Sequence, residues 1–305
     1  MVMYLDENRI RGLLRWDQLI ATMEEALAEF SLGRVLQPVR SMLTIEEGKR
    51  YLGIMPAVAE DAMGAKLVSF FPGNEGTGVP THSAMILLFN PQTGEPLAIM
   101  DGRLITEMRT AAVSAAATKR LAAPDSRVLA LLGSGVQARA HLQALTQVRI
   151  FAEVRVWGRT AEHAERFAKQ HNIRATPAEA AVCGADVIVT ATNALEPILK
   201  GGWLKPGAHV NAVGSPRPGW RELDDNAMAN TLIVDSRDAV LKESGDVILS
   251  NAPIYCEIGE ILAGVKEAPV SATTVFKSVG LAIEDVAAAK LVYSVAHTDG
   301  VAPAS

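Results

Sequence analysis

The pattern of apolar and polar positions in the first third of the chain predicts one helix followed by an uninterrupted series of strands. Over residues 17–30 the apolar side chains recur at helical spacing, and Asp17 is placed to cap this helix. The strand-like runs after it cover residues 51–55, 65–71, 84–89 and 96–100. Turn-forming residues 90–95 predict an antiparallel hairpin between the last two runs. Because no helix separates these strands, we expect an α+β unit.

Beyond Thr106 the pattern changes to an alternation of helices and strands. Residues 106–121 have the pattern of an alanine-rich helix that ends before Pro124. The strands predicted after it cover residues 128–132, 154–157, 187–191, 209–213 and 232–234. Helical patterns between most of them predict a parallel sheet covered on both faces, as in a doubly wound α/β domain. A last helix is predicted over residues 285–293 and is expected to pack onto the first unit.

Composition and charge exclude several classes of function. Of 305 residues, 49% are apolar and 21% are charged, which is typical of a globular protein with a substantial core. A formal charge of -5 argues against a nucleic-acid partner. Cys183 and Cys256 are too few for a zinc site or a disulfide framework. The sequence contains neither a signal-peptide pattern nor a long apolar run, so we expect a cytoplasmic protein with no membrane partner and no bound metal.

A glycine-rich turn is the most specific chemical signal in the chain. Five apolar residues, 128–132, precede Gly133 and Gly135, and the small residue Ala138 follows three positions later. This order ends a buried strand, lets the backbone approach a pair of phosphates and starts a helix whose N–H groups face the anion. The turn therefore predicts a dinucleotide cofactor, and a glycine turn that binds nothing is the alternative.

The end of the next strand indicates which dinucleotide is bound. An NAD site typically has an acidic residue here to bind the ribose diol, whereas this chain has Arg159 and Thr160 after Gly158. A cation and a hydroxyl suit a 2′-phosphate, so we predict NADPH, with NADH bound more weakly. A solvated surface arginine is the alternative. Small residues at the later strand ends, 190–193 and 211–214, leave room for a nicotinamide ring or are ordinary strand ends.

Three basic residues of the first unit are candidates for binding an anionic substrate. Lys66 shares a strand face with Val68 and Phe70, where an unpaired charge is costly. Arg109 is predicted in the first turn of the helix that starts at Thr106, where a cation is favourable only beside an anion. With Arg40 they could bind a carboxylate, and ion pairs with nearby acidic residues are the alternative. His82 follows a Gly- and Pro-rich loop and is either solvated or near the cofactor.

Several stretches, in one order along the chain, resemble the ornithine cyclodeaminase/mu-crystallin family, and within it the mu-crystallin (ketimine reductase) branch. The resemblance covers residues 29–293. The stretches that carry it are residues 37–40, 51–57, 100–102, 109–115, 133–138, 205–209, 220–225, 241–247 and 274–278.

The resemblance implies a two-domain homodimer and assigns site residues. A substrate-binding and dimerisation domain is expected over residues 1–119 together with 276–305, and a Rossmann domain over 120–275. The family's substrate-carboxylate ligands correspond to Arg40, Lys66 and Arg109. Its cofactor contacts, taken with the glycine turn, correspond to Thr81, His82, Arg109, Gly133, Ser134, Gly135, Val136, Gln137, Arg159, Thr160, Thr192, Val213 and Ser278. The branch has an asparagine where this chain has Gly158.

Three departures from the cyclodeaminase branch argue against ornithine cyclisation. The aspartate that activates water there corresponds to Pro216, and the glutamate that binds the distal amine corresponds to Gly53. Arg159 stands where an NAD site typically has an acidic residue. The implied activity is NADPH-dependent reduction of cyclic ketimine carboxylates, with Lys66 as the hypothetical proton donor. The alternatives are an NADPH-dependent thyroid-hormone-binding protein and an alanine-dehydrogenase-like enzyme.

Overall fold

The computed structural model describes residues 2–74, 76–269 and 271–298. In this part of the chain no helix is long and apolar enough to cross a membrane. The strands are β1 (Met3–Leu5), β2 (Ser41–Glu46), β3 (Arg50–Val58), β4 (Met63–Phe70), β5 (His82–Phe89), β6 (Pro96–Asp101), β7 (Val128–Leu132), β8 (Glu153–Trp157), β9 (Arg174–Ala175), β10 (Val187–Thr190), β11 (His209–Ala212), β12 (Thr231–Val234), β13 (Ile254–Glu257) and β14 (Thr274–Lys277). The helices are α1 (Glu7–Leu13), α2 (Trp16–Ser31), α3 (Gly102–Leu121), α4 (Val136–Leu145), α5 (Ala161–His171), α6 (Ala178–Val182), α7 (Asp225–Met228), α8 (Arg237–Glu243), α9 (Gly245–Ser250), α10 (Ile258–Leu262) and α11 (Ala282–Thr298).

The chain divides into two compact units, whose limits fall after Arg109 and after Gly280. The limits expected from the sequence lay at 119/120 and 275/276. The later one would cut through β14, which pairs along its whole length with β11 and β12. The earlier one would separate Thr118 from Asn211, whose side-chain amide donates to the Thr118 hydroxyl at 2.9 Å. These hydrogen bonds connect both Thr118 and β14 to the second unit, which explains why its limits differ from the expected ones.

The first unit contains a six-stranded sheet in the order β1-β6-β5-β4-β3-β2. Strands β2 to β6 pair antiparallel, which confirms the predicted β5–β6 hairpin, and β1 pairs parallel to β6. Helix α11 packs against β3, β4, β5 and α2 within this unit, as predicted, although it begins at Ala282 rather than at residue 285. One face of the sheet is thereby buried.

Two further predicted helix starts are wrong. Helix α2 begins at Trp16 after Arg15, so Asp17 lies inside the first turn instead of capping it. Helix α3 begins at Gly102, and the carboxylate of Asp101 accepts a hydrogen bond from the backbone N–H of Arg103. Arg109 consequently lies about two turns into the helix, and the argument that placed it at a helix N-terminus does not hold.

The second unit contains an eight-stranded parallel sheet in the order β13-β12-β14-β11-β10-β7-β8-β9. Strand β7 pairs with β8 on one side and with β10 on the other, so the direction of winding reverses at its carboxyl end. This is the Rossmann-type doubly wound arrangement that the alternation predicts, and its ligands typically bind at that reversal point. The short strands β9, β13 and β14 were not predicted.

Candidate active site

The glycine turn in the second unit joins β7 to α4 as predicted. Gly133 has φ +130°, and a Cβ atom there would lie 2.6 Å from the carbonyl oxygen of Ala191, so only glycine fits. Around Gly135 the described atoms leave a Cβ position open, and none of their side chains caps the helix that begins after it. The first N–H groups of α4 are thus available to an anion.

A buried amide oxygen supports a ligand at this turn. The side-chain oxygen of Gln137, in the first turn of α4, has no hydrogen-bond partner among the described residues. Buried polar atoms of this kind are usually satisfied, if not by protein then by water or a ligand. The turn and the open helix start fit the phosphates of a dinucleotide, and the Gln137 oxygen, an acceptor, requires a donor such as a water or a ligand hydroxyl.

The end of β8 presents Arg159 and Thr160 to solvent. Thr160 precedes α5, and Gly158 is buried beside the glycine turn. A Cβ atom at Gly158 would lie 2.8 Å from the hydroxyl oxygen of Ser134, so this hydroxyl fills the space that a larger residue at 158 would take. No acidic residue follows the strand at this point, in agreement with the sequence prediction.

A buried carboxylate, not predicted from the sequence, joins the ends of β10 and β11. Glu222 accepts hydrogen bonds from the Thr190 hydroxyl at 2.7 Å, from the backbone N–H and hydroxyl of Thr192 at 2.6 Å each, and from the Gly214 N–H at 2.9 Å. A Cβ atom at Gly214 would lie 2.4 Å from this carboxylate. Glu222 therefore fixes the segments that carry two predicted cofactor residues, Thr192 and Val213.

Lys277 and Asp246 extend this buried network. The Lys277 ammonium donates to the Gly214 carbonyl at 2.7 Å and to Asp246 at 2.9 Å, and both side chains are fully buried. Asp246 in turn accepts the backbone N–H groups of Glu222 and Leu223. Burial raises the pKa of Glu222, against the opposing effects of Lys277 and the Thr192 hydrogen bond. Because all four of its partners are donors, we assign the ionised form.

The predicted cofactor residue Ser278 belongs to a second buried carboxylate site. Its hydroxyl donates to Asp235 at 2.9 Å, and the same carboxylate oxygen accepts the N–H groups of Val279 and Gly280. Asp235 follows β12 and Ser278 follows β14, so this cluster also lies at the carboxyl edge of the parallel sheet. Neither Glu222 nor Asp235 was predicted from the sequence, because the hydrogen-bond partners of each lie far away along the chain.

In the first unit the structure brings two predicted substrate-binding cations together with two acids. The Lys66 ammonium lies 2.5 Å from Asp285, and Arg109 donates to Asp285 at 2.9 Å and to Glu284 at 2.5 Å. Lys66 is only 2% exposed, and both acids are fully buried. The ion-pair alternative left open by the sequence is therefore correct for this structure, and substrate binding by the same cations is an additional question.

The charges of this cluster set the protonation of its members. Burial lowers the pKa of Lys66, Asp285 opposes the change, and Arg109 and Arg40 add to it, which leaves the pKa at about 8. Burial also raises the pKa of Asp285, but Arg109 and Lys66 outweigh it and hold that pKa below its ordinary value. The pKa of Arg109 is raised, because its two carboxylate partners outweigh burial. With a pKa of about 8, Lys66 is mostly protonated at neutral pH.

The remaining predicted residues of the first unit lie around this cluster or on its sheet. Arg40 is half-buried and is close enough to Lys66 to lower its pKa. The Gln37 side chain accepts the backbone N–H of Ile283, which ties the segment before Arg40 to the start of α11. His82 is exposed, stacks on Phe70 at 4.3 Å and contacts the hydroxyl of Thr81 at 3.3 Å.

A cavity of about 390 Å³ lies on the opposite face of this sheet. Leu67 lines it, whereas the neighbouring Lys66 points to the face covered by α11, since successive strand residues point to opposite faces. Asp101 and Arg103 lie at the cavity, and the cation cluster does not line it. The cavity and the cluster of Lys66, Arg109 and their acids therefore lie on opposite faces of the sheet.

Comparison with known proteins identifies the relatives of this chain. The model of the ornithine cyclodeaminase/mu-crystallin family matches residues 2–300. The chain belongs to this family. It is 52% identical over 300 residues to the ketimine reductase mu-crystallin of Mus musculus, covering 95% of this chain and 96% of that protein.

Two solved structures of the family superpose on the whole chain. One is a Thermococcus litoralis Δ1-pyrroline-2-carboxylate reductase in complex with NADH and L-proline, with a TM-score of 0.93, 38% identity and 98% coverage of both chains. The other is an archaeal alanine dehydrogenase dimer with bound NAD, with a TM-score of 0.92, 32% identity and coverage of 99% of this chain and 98% of that one. The fold class predicted from the sequence is confirmed.

Within the family, position 53 separates this chain from the cyclodeaminase branch on structural grounds. Gly53 lies in β3, and a Cβ atom there would lie 2.7 Å from the Met42 sulfur and 3.0 Å from Val68. The space that a glutamate would need is filled by apolar side chains. A larger residue at position 53 would therefore have to displace the side chains of Met42 and Val68.

Proposed function

We propose that this protein reduces the C=N bond of cyclic ketimine carboxylates of the 1-piperideine-2-carboxylate or 1-pyrroline-2-carboxylate type to cyclic amino acids, with NADPH as the reductant. The chain is an NAD(P)H-dependent oxidoreductase that acts on C=N bonds, the class to which its named relatives belong. The choice of substrate and of NADPH over NADH is the part that we infer.

The observation that carries the proposal is the buried Lys66 beside Arg109 and Arg40. A ketimine carboxylate needs cations for its carboxylate and a proton for its ring nitrogen. Arginines bind carboxylates through paired N–H groups, so we assign Arg40 and Arg109 to the carboxylate. Lys66, with a pKa of about 8, carries a proton at neutral pH that it can release. One group of residues thus supplies both requirements.

The second unit supports NADPH as the cofactor, which when bound supplies a hydride to the imine carbon. The glycine turn and the open start of α4 fit its phosphates. Arg159 and Thr160, both exposed at the end of β8, would bind the 2′-phosphate. Thr192, Val213 and Ser278, at the carboxyl edge of the same sheet, would contact the nicotinamide half.

A spectrophotometric panel tests the activity. NADPH and NADH oxidation is followed with each cyclic ketimine and with pyruvate plus ammonia, and ammonia release from L-ornithine is measured in the presence of NAD. We expect the fastest turnover with a cyclic ketimine and NADPH, and inhibition by triiodothyronine if the pocket also accepts that hormone. An absolute requirement for ammonia would favour an alanine dehydrogenase, and NAD-dependent ammonia release from ornithine would refute the proposal.

Arg159→Ala tests the choice of cofactor, with Arg166→Ala as the matched control. Arg166 is exposed on α5, away from the end of the strand. A hydrogen bond to a charged group contributes about 1.5–3 kcal/mol, so the KM for NADPH should rise about 10- to 100-fold in the first variant. The KM for NADH should change little in either variant. Equal losses with both cofactors would show that Arg159 does not bind the 2′-phosphate.

We also propose that the protein is a homodimer formed through the uncovered sheet face of the first unit. On this face Leu43 is 53% exposed, Met85 45% and Leu67 37%, and Tyr4 on the edge strand is half exposed. Contiguous apolar surface of this kind usually marks an interface. Leu67→Glu should shift the sedimentation equilibrium from dimer to monomer, whereas Leu195→Glu, on an exposed loop of the second unit, should not. A monomeric parent protein would contradict this part.

A further inference from the structure

The first turn of α11 places one carboxylate against both cations of the proposed substrate site. Asp285 contacts Lys66 Nζ through Oδ2 at 2.5 Å and Arg109 Nε through Oδ1 at 2.9 Å. Its neighbour Glu284 contacts Arg109 at 2.5 Å, and no contact between Glu284 and Lys66 is recorded in the described structure. The two adjacent acids therefore differ in one respect, which is contact with the lysine.

The local structure explains why this acid is required. On β4, Lys66 is flanked in register by Met55 of β3 and Ile86 of β5, both buried and apolar. A charged partner must therefore come from outside the sheet. The start of a helix favours acidic residues, because its N–H groups carry partial positive charge. Helix α11 packs on these strands, so its first turn can supply the acid at little electrostatic cost.

The charge balance of the cluster constrains what it can do. Lys66 and Arg109 are matched by Asp285 and Glu284, so the four groups together are neutral, and the half-buried Arg40 adds one positive charge. A substrate carboxylate therefore gains no net attraction from these four groups. Asp285 is a poor candidate for attracting the substrate and a good one for controlling Lys66.

We propose that Asp285 is a positioning residue that holds Lys66 in its protonated form and in place to protonate the ring nitrogen of the imine. In this step a Lys66 N–H bond breaks and a bond from that proton to the ring nitrogen forms, while the hydride from NADPH adds to the ring carbon. Lys66 is left as a neutral amine and regains a proton from solvent. This inference rests on the proposed imine reduction.

The charged groups around Lys66 are accounted for element by element. Asp285 faces it from α11, Arg109 from α3 and Arg40 from the segment before β2, while β3 and β5 present apolar side chains. Among these groups Asp285 favours the charged lysine, whereas burial, Arg109 and Arg40 oppose it. Removal of the Asp285 charge should therefore shift the protonation of Lys66 to lower pH.

The test compares Asp285→Asn with Glu284→Gln, which makes the same chemical change on the adjacent acid. Turnover is measured from about pH 6 to about pH 10 with saturating NADPH and cyclic ketimine, where each pH unit above the pKa lowers the protonated fraction about tenfold. For the parent protein we expect the decline to begin near pH 8. Asp285→Asn should move this decline down by at least about one pH unit. Because both acids contact Arg109, the KM of the ketimine is expected to rise in both variants, and the pH profile at saturation distinguishes them. Glu284→Gln should raise the KM through Arg109 and leave the decline in place.

A second measurement does not depend on turnover. The pH titration of the Lys66 Cε resonance, in protein labelled at lysine carbons and assigned with Lys66→Arg, reports the protonation of Lys66 directly. It should shift in Asp285→Asn, stay in Glu284→Gln and be restored in Asp285→Glu. An unchanged titration in Asp285→Asn, or an equal shift in both neutral variants, would overturn the inference. If no ketimine is reduced but the titration shifts as expected, the proposed function fails while the control of Lys66 by Asp285 stands.

Discussion

Glu222→Gln should both destabilise the second unit and weaken cofactor binding. The carboxylate accepts four hydrogen bonds, two on each oxygen, and every partner is a donor. A glutamine of the same shape keeps one acceptor oxygen and turns the other position into an NH2 group. Two of the four donors then lose their acceptor: a backbone N–H that faces another donor, and a threonine hydroxyl that can turn to accept from the new NH2 group.

The magnitude follows from the bonds that are lost. Hydrogen bonds to a charged group contribute about 1.5–3 kcal/mol each, so two of them correspond to about 3–6 kcal/mol. Burial of the carboxylate, which raises the pKa of Glu222, is relieved in the neutral variant and offsets part of this loss. We therefore expect the lower end, about 3 kcal/mol, which lowers the unfolding temperature by about 6–12 °C.

The assay is thermal unfolding together with fluorescence titration of NADPH. Glu196→Gln is the matched control, because Glu196 is exposed and the same change there should stay within about 0.5 kcal/mol. The NADPH Kd should rise in Glu222→Gln, because Thr192 and the turn at Gly214 lose their common acceptor. An unfolding temperature equal to that of the control would refute the hydrogen-bond argument. A lower unfolding temperature with unchanged NADPH affinity would restrict Glu222 to a structural role.

Three further outcomes follow from the same structure. Gly133→Ala should abolish tight NADPH binding and lower the unfolding temperature, because the φ of Gly133 is +130° and alanine would be strained there. Gly135→Ala should leave the unfolding temperature unchanged. Equal unfolding temperatures for the two variants would contradict this argument. Lys277→Met should lower the free energy of unfolding by about 3–5 kcal/mol, because it leaves Asp246 buried without its cation. Denaturant unfolding of Lys277→Met with and without Asp246→Asn measures the coupling energy between the two side chains. Ketimine turnover should fall as pH rises through about 8, where Lys66 loses its proton, and a pH profile that stays flat to about pH 10 would exclude Lys66 as the donor.

The parts of the fold that depend on local pattern were predicted well from the sequence. Strands β7, β8, β10, β11 and β12 of the second unit and the glycine turn are runs of neighbouring residues, so their pattern is visible in a short window, whereas the short strands β9, β13 and β14 were missed. Helix starts were less predictable, because the capping geometry depends on backbone conformation. Thr106 has the composition of a helix start, yet α3 begins at Gly102, directly after Asp101.

The polar clusters at the strand ends were not predicted, because their members are distant in sequence. Glu222 finds Thr190 and Thr192 about 30 positions earlier, and Asp235 finds Ser278 more than 40 positions later. A signal was nevertheless present. Lys277 ends the apolar run of β14 as Lys66 interrupts that of β4, and each charged residue in such a run requires a buried partner. The pattern identifies which residue needs a partner but not which acid supplies it.

The same limit explains the outcome for Lys66 and Arg109. Lys66 on an apolar strand face and Arg109 in an expected first helical turn each indicated either a bound anion or an internal ion pair. The structure shows the ion pairs with Asp285 and Glu284. The predicted last helix began at Asp285, one residue after Glu284 and three after its actual start, so the two acids were never considered as its first turn.

The packing around Gly53 links the charge of the first-unit site to the kind of substrate that it suits. Gly53 and Met55 are two residues apart on β3 and point to the same face as Lys66, which pairs with Met55. On that face the charged groups of Lys66 and Arg109 lie at one end of the site. The Met42 sulfur and the Val68 side chain occupy the space beside Gly53. A substrate with a second amine would meet apolar atoms there and lose its hydration without a new partner. Under the proposed function, a closed ring would carry methylene groups at that end instead, so the filled position would favour cyclic imino acids over open-chain diamino acids.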